Sequence, residues 1–196
     1  MSETVESLLA RFADGTPTPG GGAAAALTAA TAAALLGMVC RVTRARSGTD
    51  PGVTATAARA DELRQRLLGL VAADASAYGR VLESQRLSGD ARAPALRRAF
   101  VGATEVPLEV ARHSLEILTA SAEVAGQVRA SALGDLGVLV SLAWAALESS
   151  AGTARMNLKG LDDAGFVTTS EHELARLVAE GTGARARAAE LMAARA

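Results

Sequence analysis

Two carboxylates stand in stretches of the chain that are otherwise nearly uncharged. Asp74 lies among Ala72, Ala73, Ala75 and Ala77, and Asp135 opens a segment containing Leu136, Val138, Leu139, Val140, Leu142, Trp144 and Leu147. A carboxylate entering an apolar core is unfavourable unless it is paired or used. Asp135 is therefore a candidate general acid or base, or the charge partner of a cationic substrate, and Asp74 a second acid or base, or a carboxylate that orients the substrate. Blander roles fit as well. Asp135 would be favoured by the dipole at a helix N-terminus, and Asp74 would serve as an exposed helix residue. A second candidate is the run Pro17-Thr18-Pro19-Gly20-Gly21-Gly22, which feeds an alanine-rich segment. Gly20, Gly21 and Gly22 allow a tight turn and close backbone approach, and free amides at a helix start can hold an anion. The same glycines would equally suit a helix start packed hard against a neighbour.

Further along, Asn157 could hydrogen-bond a polar ring, and Lys159 could hold a carboxylate as a point charge. A lysine at a helix C-terminus is also favoured by the dipole alone. Tyr78 and Trp144 could stack on a planar ligand, although their helical spacing suits core packing. Cys40 is the one cysteine. It reads as a small buried hydrophobe, because nothing near it in sequence would activate a thiol. His113 and His172 lie on separate segments without metal-ligand spacing, so no metal site is expected. His113 reads as structural or exposed.

The elements that must position these groups are helical. Hydrophobic residues make up 49% of the 196 residues and charged residues 21%, which is a core-forming composition. Much of the apolar share is alanine, the best helix former. Period-two runs and hairpin signals are scarce. A short helix is expected over about Val5 to Ala13, broken by Asp14-Gly15-Thr16-Pro17-Thr18-Pro19. A second runs from about Gly20 to Arg46. A third begins at Pro51 with Asp50 as its cap and ends near Arg86. A fourth covers about Ala93 to Gly126, with a bend expected at Pro107. A fifth covers about Asp135 to Leu158. The last is expected to start near Ser170, where Ser170 and Glu173 form a capping box, and to end in a solvated tail around Arg185, Arg187 and Arg195.

This predicts a single all-α domain over residues 1–196, a bundle of about five long helices plus a short N-terminal one. The second and fifth helices are apolar on nearly every face, so a dimer is expected to cover what one bundle leaves open. Gly20 to Cys40 carries no charge and is long enough to span a bilayer, but its Ala, Gly and Thr content suits a bundle centre better than lipid. With a net charge of −1 and an even mix of signs, nucleic acid is not an expected partner. The lack of a basic-then-apolar leader and of paired cysteines points to the cytoplasm.

Five blocks in order resemble one family. Pro17-Thr18-Pro19-Gly20-Gly21-Gly22 is similar to the P-x-P-G-G-G opening of the cyclodeaminase/cyclohydrolase family of folate enzymes. Leu70 to Tyr78 resembles its D-x-D-A-x-A-F segment, and Val106-Pro107-Leu108 with Ala111 its V-P-L-x-x-A stretch. Asp135-Leu136-Gly137-Val138 resembles S-D-L-G-V-A, and Asn157-Leu158-Lys159 with Leu161 resembles I-N-L-K-x-L. The chain departs from these patterns at Ala72, Gly134 and Thr153, where the family carries Asp, Ser and Asn. The resemblance implies a metal-free homodimer, with no cofactor beyond its folate substrate. It would act on the methenyl or formimino carbon of tetrahydrofolate through a tetrahedral intermediate. Asp135 and Asp74 would be catalytic, and Gly20, Gly21, Gly22, Tyr78, Asn157 and Lys159 would bind substrate. The three departures keep two other readings open. One is the same chemistry on a non-folate imine, amidine or amine; the other is a non-catalytic, ligand-binding or scaffold dimer.

Overall fold

The computed structural model describes residues 4–47 and 50–195. The described residues form six helices: α1 (Val5–Ala13), α2 (Gly21–Ser47), α3 (Pro51–Gln85), α4 (Arg92–Ala125), α5 (Leu133–Leu158) and α6 (Ala164–Ala193). Short 3-10 turns at Gly89–Ala91 and Ala130–Ala132 lead into α4 and α5, and no strand occurs among the described residues.

Local chemistry accounts for most of the boundaries. Thr4 caps α1 by accepting the Ser7 amide. Asp50 accepts the Gly52 and Val53 amides at 2.7 and 3.2 Å, with Pro51 directly inside α3, as the sequence led us to expect. The last helix begins earlier than expected. Asp163, not Ser170, caps it by accepting the Phe166 amide at 3.1 Å, and Arg97 holds the same carboxylate at 2.6 Å. Those two partners keep the Asp163 carboxyl below its ordinary range. Ser170 is buried inside α6, and Glu173 is drawn away from any capping role by a bidentate pair with Arg112, both bonds 2.8 Å. The C-terminal arginines are also less free than expected. Arg185 stacks over the Trp144 ring at 5.3 Å, and Arg195 donates to the Gly126 and Val128 carbonyls.

α2 packs between α3 and α5, while α4 lies against α3, α5 and α6. The contact face of α2 is largely methyl groups, with Ala23, Ala26, Ala29, Ala32 and Ala33 all fully buried. Small side chains let the helix axes approach closely. Leucines from the neighbouring helices then fill the remaining space, notably Leu63, Leu67, Leu118, Leu136 and Leu139. Cys40 sits in this core, and burial pushes its thiol up to about 11, which keeps it inert. His113 is buried rather than exposed, flanked by Glu116 at 3.1 Å and Glu109 at 3.6 Å.

α2 and the stretch Ala130–Leu158 are both long and apolar enough to cross a membrane by length and composition. They are covered very differently. In α2, 61% of the most apolar stretch is buried; in Ala130–Leu158 only 39% is.

Candidate functional site

At one end of the bundle, α2, α3, α4 and α5 surround a half-open cavity of about 210 Å³. Its lining includes Gly20, Gly21, Gly22, Asp74, Tyr78 and Asn157, with Thr153 and Ala103 between them. Simple spacings produce this convergence. Asp74 and Tyr78 are four residues apart on α3, and Thr153 and Asn157 are four apart on α5, so each pair projects from one helix face. The glycines enter because α2 begins at Gly21 and its first turn faces the cavity.

Asp74 is the electrostatic centre of the site. Its carboxylate accepts the Ala23 amide and so caps α2 from a neighbouring helix. Burial raises its pKa above the ordinary 3.8, and the Ala23 amide works against that rise. The carboxylate can lie here only because residue 22 is glycine. A Cβ at Gly22 would stand 2.6 Å from Asp74 Cγ, a separation that real Cβ atoms do not show. A carboxylate of raised pKa beside a helix N-terminus is suited to taking up and returning a proton.

Asn157 is oriented by a feature on α4. Pro107 has no amide hydrogen, so the Ala103 carbonyl, four residues earlier, lacks its usual helical donor. Asn157 supplies the missing donor, with its Nδ2 at 2.6 Å from Ala103 O. This commits the amide nitrogen and leaves Asn157 Oδ1 as an acceptor. The Thr153 hydroxyl is likewise committed, donating to the Ser149 carbonyl at 2.9 Å. Removing the Asn157 amide with Asn157→Leu is expected to destabilise the chain by about 1–3 kcal/mol, because a buried carbonyl loses its donor. Pro107→Ala, which restores a backbone N–H, should offset part of that loss. Urea unfolding of the two single variants and the double variant measures this non-additivity directly.

Six of the eight residues singled out from the sequence meet at this cavity, and two do not. Asp74, Gly20, Gly21, Gly22, Tyr78 and Asn157 line it. Lys159 lies beyond the end of α5, exposed, with its Nζ 3.7 Å from Met156 Sδ, and is not part of the lining. Asp135 is in the first turn of α5 and exposed. It lies eighteen residues before Thr153, about 27 Å along the helix axis. Sequence reasoning missed Ala103, and also the role of Pro107. The freed carbonyl is legible from Pro107 alone, but its partner on α5 is not. Of the three departures from the family pattern, Thr153 lines the cavity, whereas Ala72 lines a separate apolar groove of about 490 Å³ beneath α1, with Leu27, Leu68 and Val71. Gly134 is exposed beside Asp135.

The chain resembles known proteins over nearly its whole length. Residues 4–176 match the family described as Formiminotransferase-cyclodeaminase. The chain is 33% identical to a methenyltetrahydrofolate cyclohydrolase of Methylorubrum extorquens, over 91% of this chain and 90% of that protein. Its fold is similar to the crystal structure of a formiminotetrahydrofolate cyclodeaminase from Thermotoga maritima. That likeness has a TM-score of 0.92 at 24% identity, covering 98% of this chain and 96% of the other.

Proposed function

The chain belongs to the formiminotransferase-cyclodeaminase family, and from that premise we propose that it is a methenyltetrahydrofolate cyclohydrolase whose reaction takes place in the Asp74 cavity. The observation that carries this reading is the raised pKa of the Asp74 carboxyl at the glycine-lined start of α2. The methenyl bridge is an amidinium-like cation, and a carboxylate attracts it. Asp74 takes one proton from the attacking water as the oxygen bonds to the bridge carbon. The tetrahedral adduct then collapses: one carbon–nitrogen bond breaks, the carbinol oxygen becomes the formyl carbonyl, and its hydroxyl proton passes to the leaving nitrogen. The products are the formyl derivative and one proton released to solvent. Asn157 Oδ1 is an acceptor that can hold the attacking water, and Tyr78 offers a ring face and a hydroxyl beside it. The cavity suits the reacting part of the substrate, with the rest of the molecule outside.

We further propose that the enzyme is a cytoplasmic homodimer; the open apolar face of α5 supports the dimer. The test of function is the loss of methenyltetrahydrofolate absorbance, corrected for spontaneous hydrolysis. Catalysed loss without ammonia production from the formimino compound supports the cyclohydrolase. Catalysed ammonia release in place of it would support the cyclodeaminase reaction in the same cavity. No catalysis of either at high protein concentration would overturn the folate reading.

A further inference from the structure

Tyr78 is the one tyrosine of the chain, and its ring and its oxygen are held very differently. The ring packs against the apolar cluster of Ala77, Val81, Ala99 and Ala103, which joins α3 to α4. The hydroxyl is neither sealed inside that cluster nor hydrogen-bonded to any of the described residues. A tyrosine oxygen inside a protein ordinarily finds a partner. Here the ring is fixed while the oxygen stays open, at the wall of the Asp74 cavity. The neighbouring polar groups are already committed. The Asn157 amide donates to the Ala103 carbonyl, and the Thr153 hydroxyl donates to the Ser149 carbonyl. The Asp74 carboxylate holds the Ala23 amide. Thr18, on the loop before α2, also lines the cavity, but an aliphatic hydroxyl gives up its proton far less readily than a phenol. Asp74 and Tyr78 stand four residues apart on α3, with about 5–6 Å between their Cβ atoms, so a carbon held against one is within reach of the other.

We propose that the Tyr78 hydroxyl carries the proton from the carbinol oxygen to the departing nitrogen when the tetrahedral adduct collapses. This rests on the cavity being the site of methenyl hydrolysis.

The adduct carries the oxygen and the nitrogen on a single carbon. Direct transfer between them closes a four-membered ring of carbon, oxygen, hydrogen and nitrogen, far from the near-linear path that a shared proton prefers. A hydroxyl set between the two atoms widens that ring to six members. The phenol oxygen accepts the carbinol proton while its own proton bonds to the nitrogen. The carbon–nitrogen bond breaks with its electron pair left on nitrogen, and the pair freed from the carbinol O–H bond forms the carbonyl. Tyr78 ends the step as it began, so nothing is consumed. Asp74 is poorly placed for this second task. Its carboxyl is held at the Ala23 amide and has just received the proton of the attacking water. The base thus serves the attack, and the phenol serves the collapse.

Tyr78→Phe keeps the ring and its packing and removes the oxygen alone. It is expected to lower kcat for methenyltetrahydrofolate by about 10²-fold, the lower end for a positioned acid or base, with little change in KM. Because the chain has a single tyrosine, growth on difluorotyrosine alters this one side chain. That phenol ionises near neutrality, and Asp74 is the other titratable group in the cavity lining. The fluorinated enzyme should lose kcat as pH rises through neutrality, in a range where the wild type does not. Unchanged kcat in Tyr78→Phe would overturn the proposal and give the proton transfer back to Asp74. A slow Tyr78→Phe beside a fluorinated enzyme with the wild-type pH profile would also overturn the relay, leaving the hydroxyl a binding group. Wild-type protein that turns over no methenyltetrahydrofolate would overturn the folate reading and this role with it. An active wild type with an equally active Tyr78→Phe overturns the role alone.

Discussion

Asp74→Asn is expected to lower turnover of the methenyl substrate by about 10²–10⁴-fold, the range for losing a positioned acid or base, and at the same time to raise thermal stability at neutral pH. The second half follows from the sign of the pKa shift. Burial raises the folded-state pKa of Asp74 above its ordinary 3.8, so the native chain binds the proton more tightly than the unfolded chain. Stability referable to this group is then highest below the ordinary pKa, falls as pH rises through the raised one, and stays reduced above it. Asparagine keeps an acceptor for the Ala23 amide and carries no charge to desolvate. Thermal unfolding of wild type and Asp74→Asn from acidic to neutral pH should therefore show a gap in Tm that favours the variant at neutral pH and closes toward acid. A chain of this size shifts about 2–4 °C for each 1 kcal/mol. An inactive variant with the opposite pH trend would show that Asp74 is a structural carboxylate held by favourable partners.

Gly22→Ala should be nearly as damaging, for a purely geometric reason. The new methyl group would occupy the place of the Asp74 carboxylate, which must turn away and release the Ala23 amide. Displacing a reacting group by about 1 Å commonly lowers the rate by about 10²-fold. Intrinsic helix propensity argues the other way, since alanine is favoured over glycine in a helix by about 1 kcal/mol. The expected outcome is thus a well-folded protein with unchanged helical circular dichroism and a large fall in kcat. Gly69→Ala on α3, where a Cβ meets nothing within 4 Å, is the matched control and should be active and slightly more stable. Full activity in Gly22→Ala would mean that the Gly22–Asp74 contact has no part in the reaction.

These two residues also show what the sequence could and could not disclose. Asp74 stands out because its neighbours are alanines, and Gly22 because three glycines open a helix. Their mutual contact, across 52 residues of chain, is a property of how α2 and α3 pack and leaves no local trace. Helix starts were legible where the cap and breaker are adjacent, as at Asp50-Pro51. The start of α6 was misplaced because the S-x-x-E pattern at Ser170 and Glu173 is a local signal that tertiary contacts override. Arg112 claims Glu173, and Asp163 caps the helix instead. Asn157 and Pro107 were each visible as motif residues, but the bond that one makes on behalf of the other joins two helices. Asp135 stands out by type, and its distance from the Thr153 end of α5 follows from the length of that helix, which the sequence also implies.

The alanine face of α2 limits how this chain can vary. A methyl group has no χ angle, so a wall of methyls has no rotamers through which to absorb a larger neighbour. Any gain in volume at Ala26, Ala29 or Ala33 must be met by sliding the whole helix. Because that helix ends in the first turn that meets Asp74, the slide is delivered to the reaction cavity. Drift in the interior is therefore coupled to function even at positions remote from it. Change in what the cavity accepts is left to rim positions such as Thr153, where a new side chain has solvent to extend into.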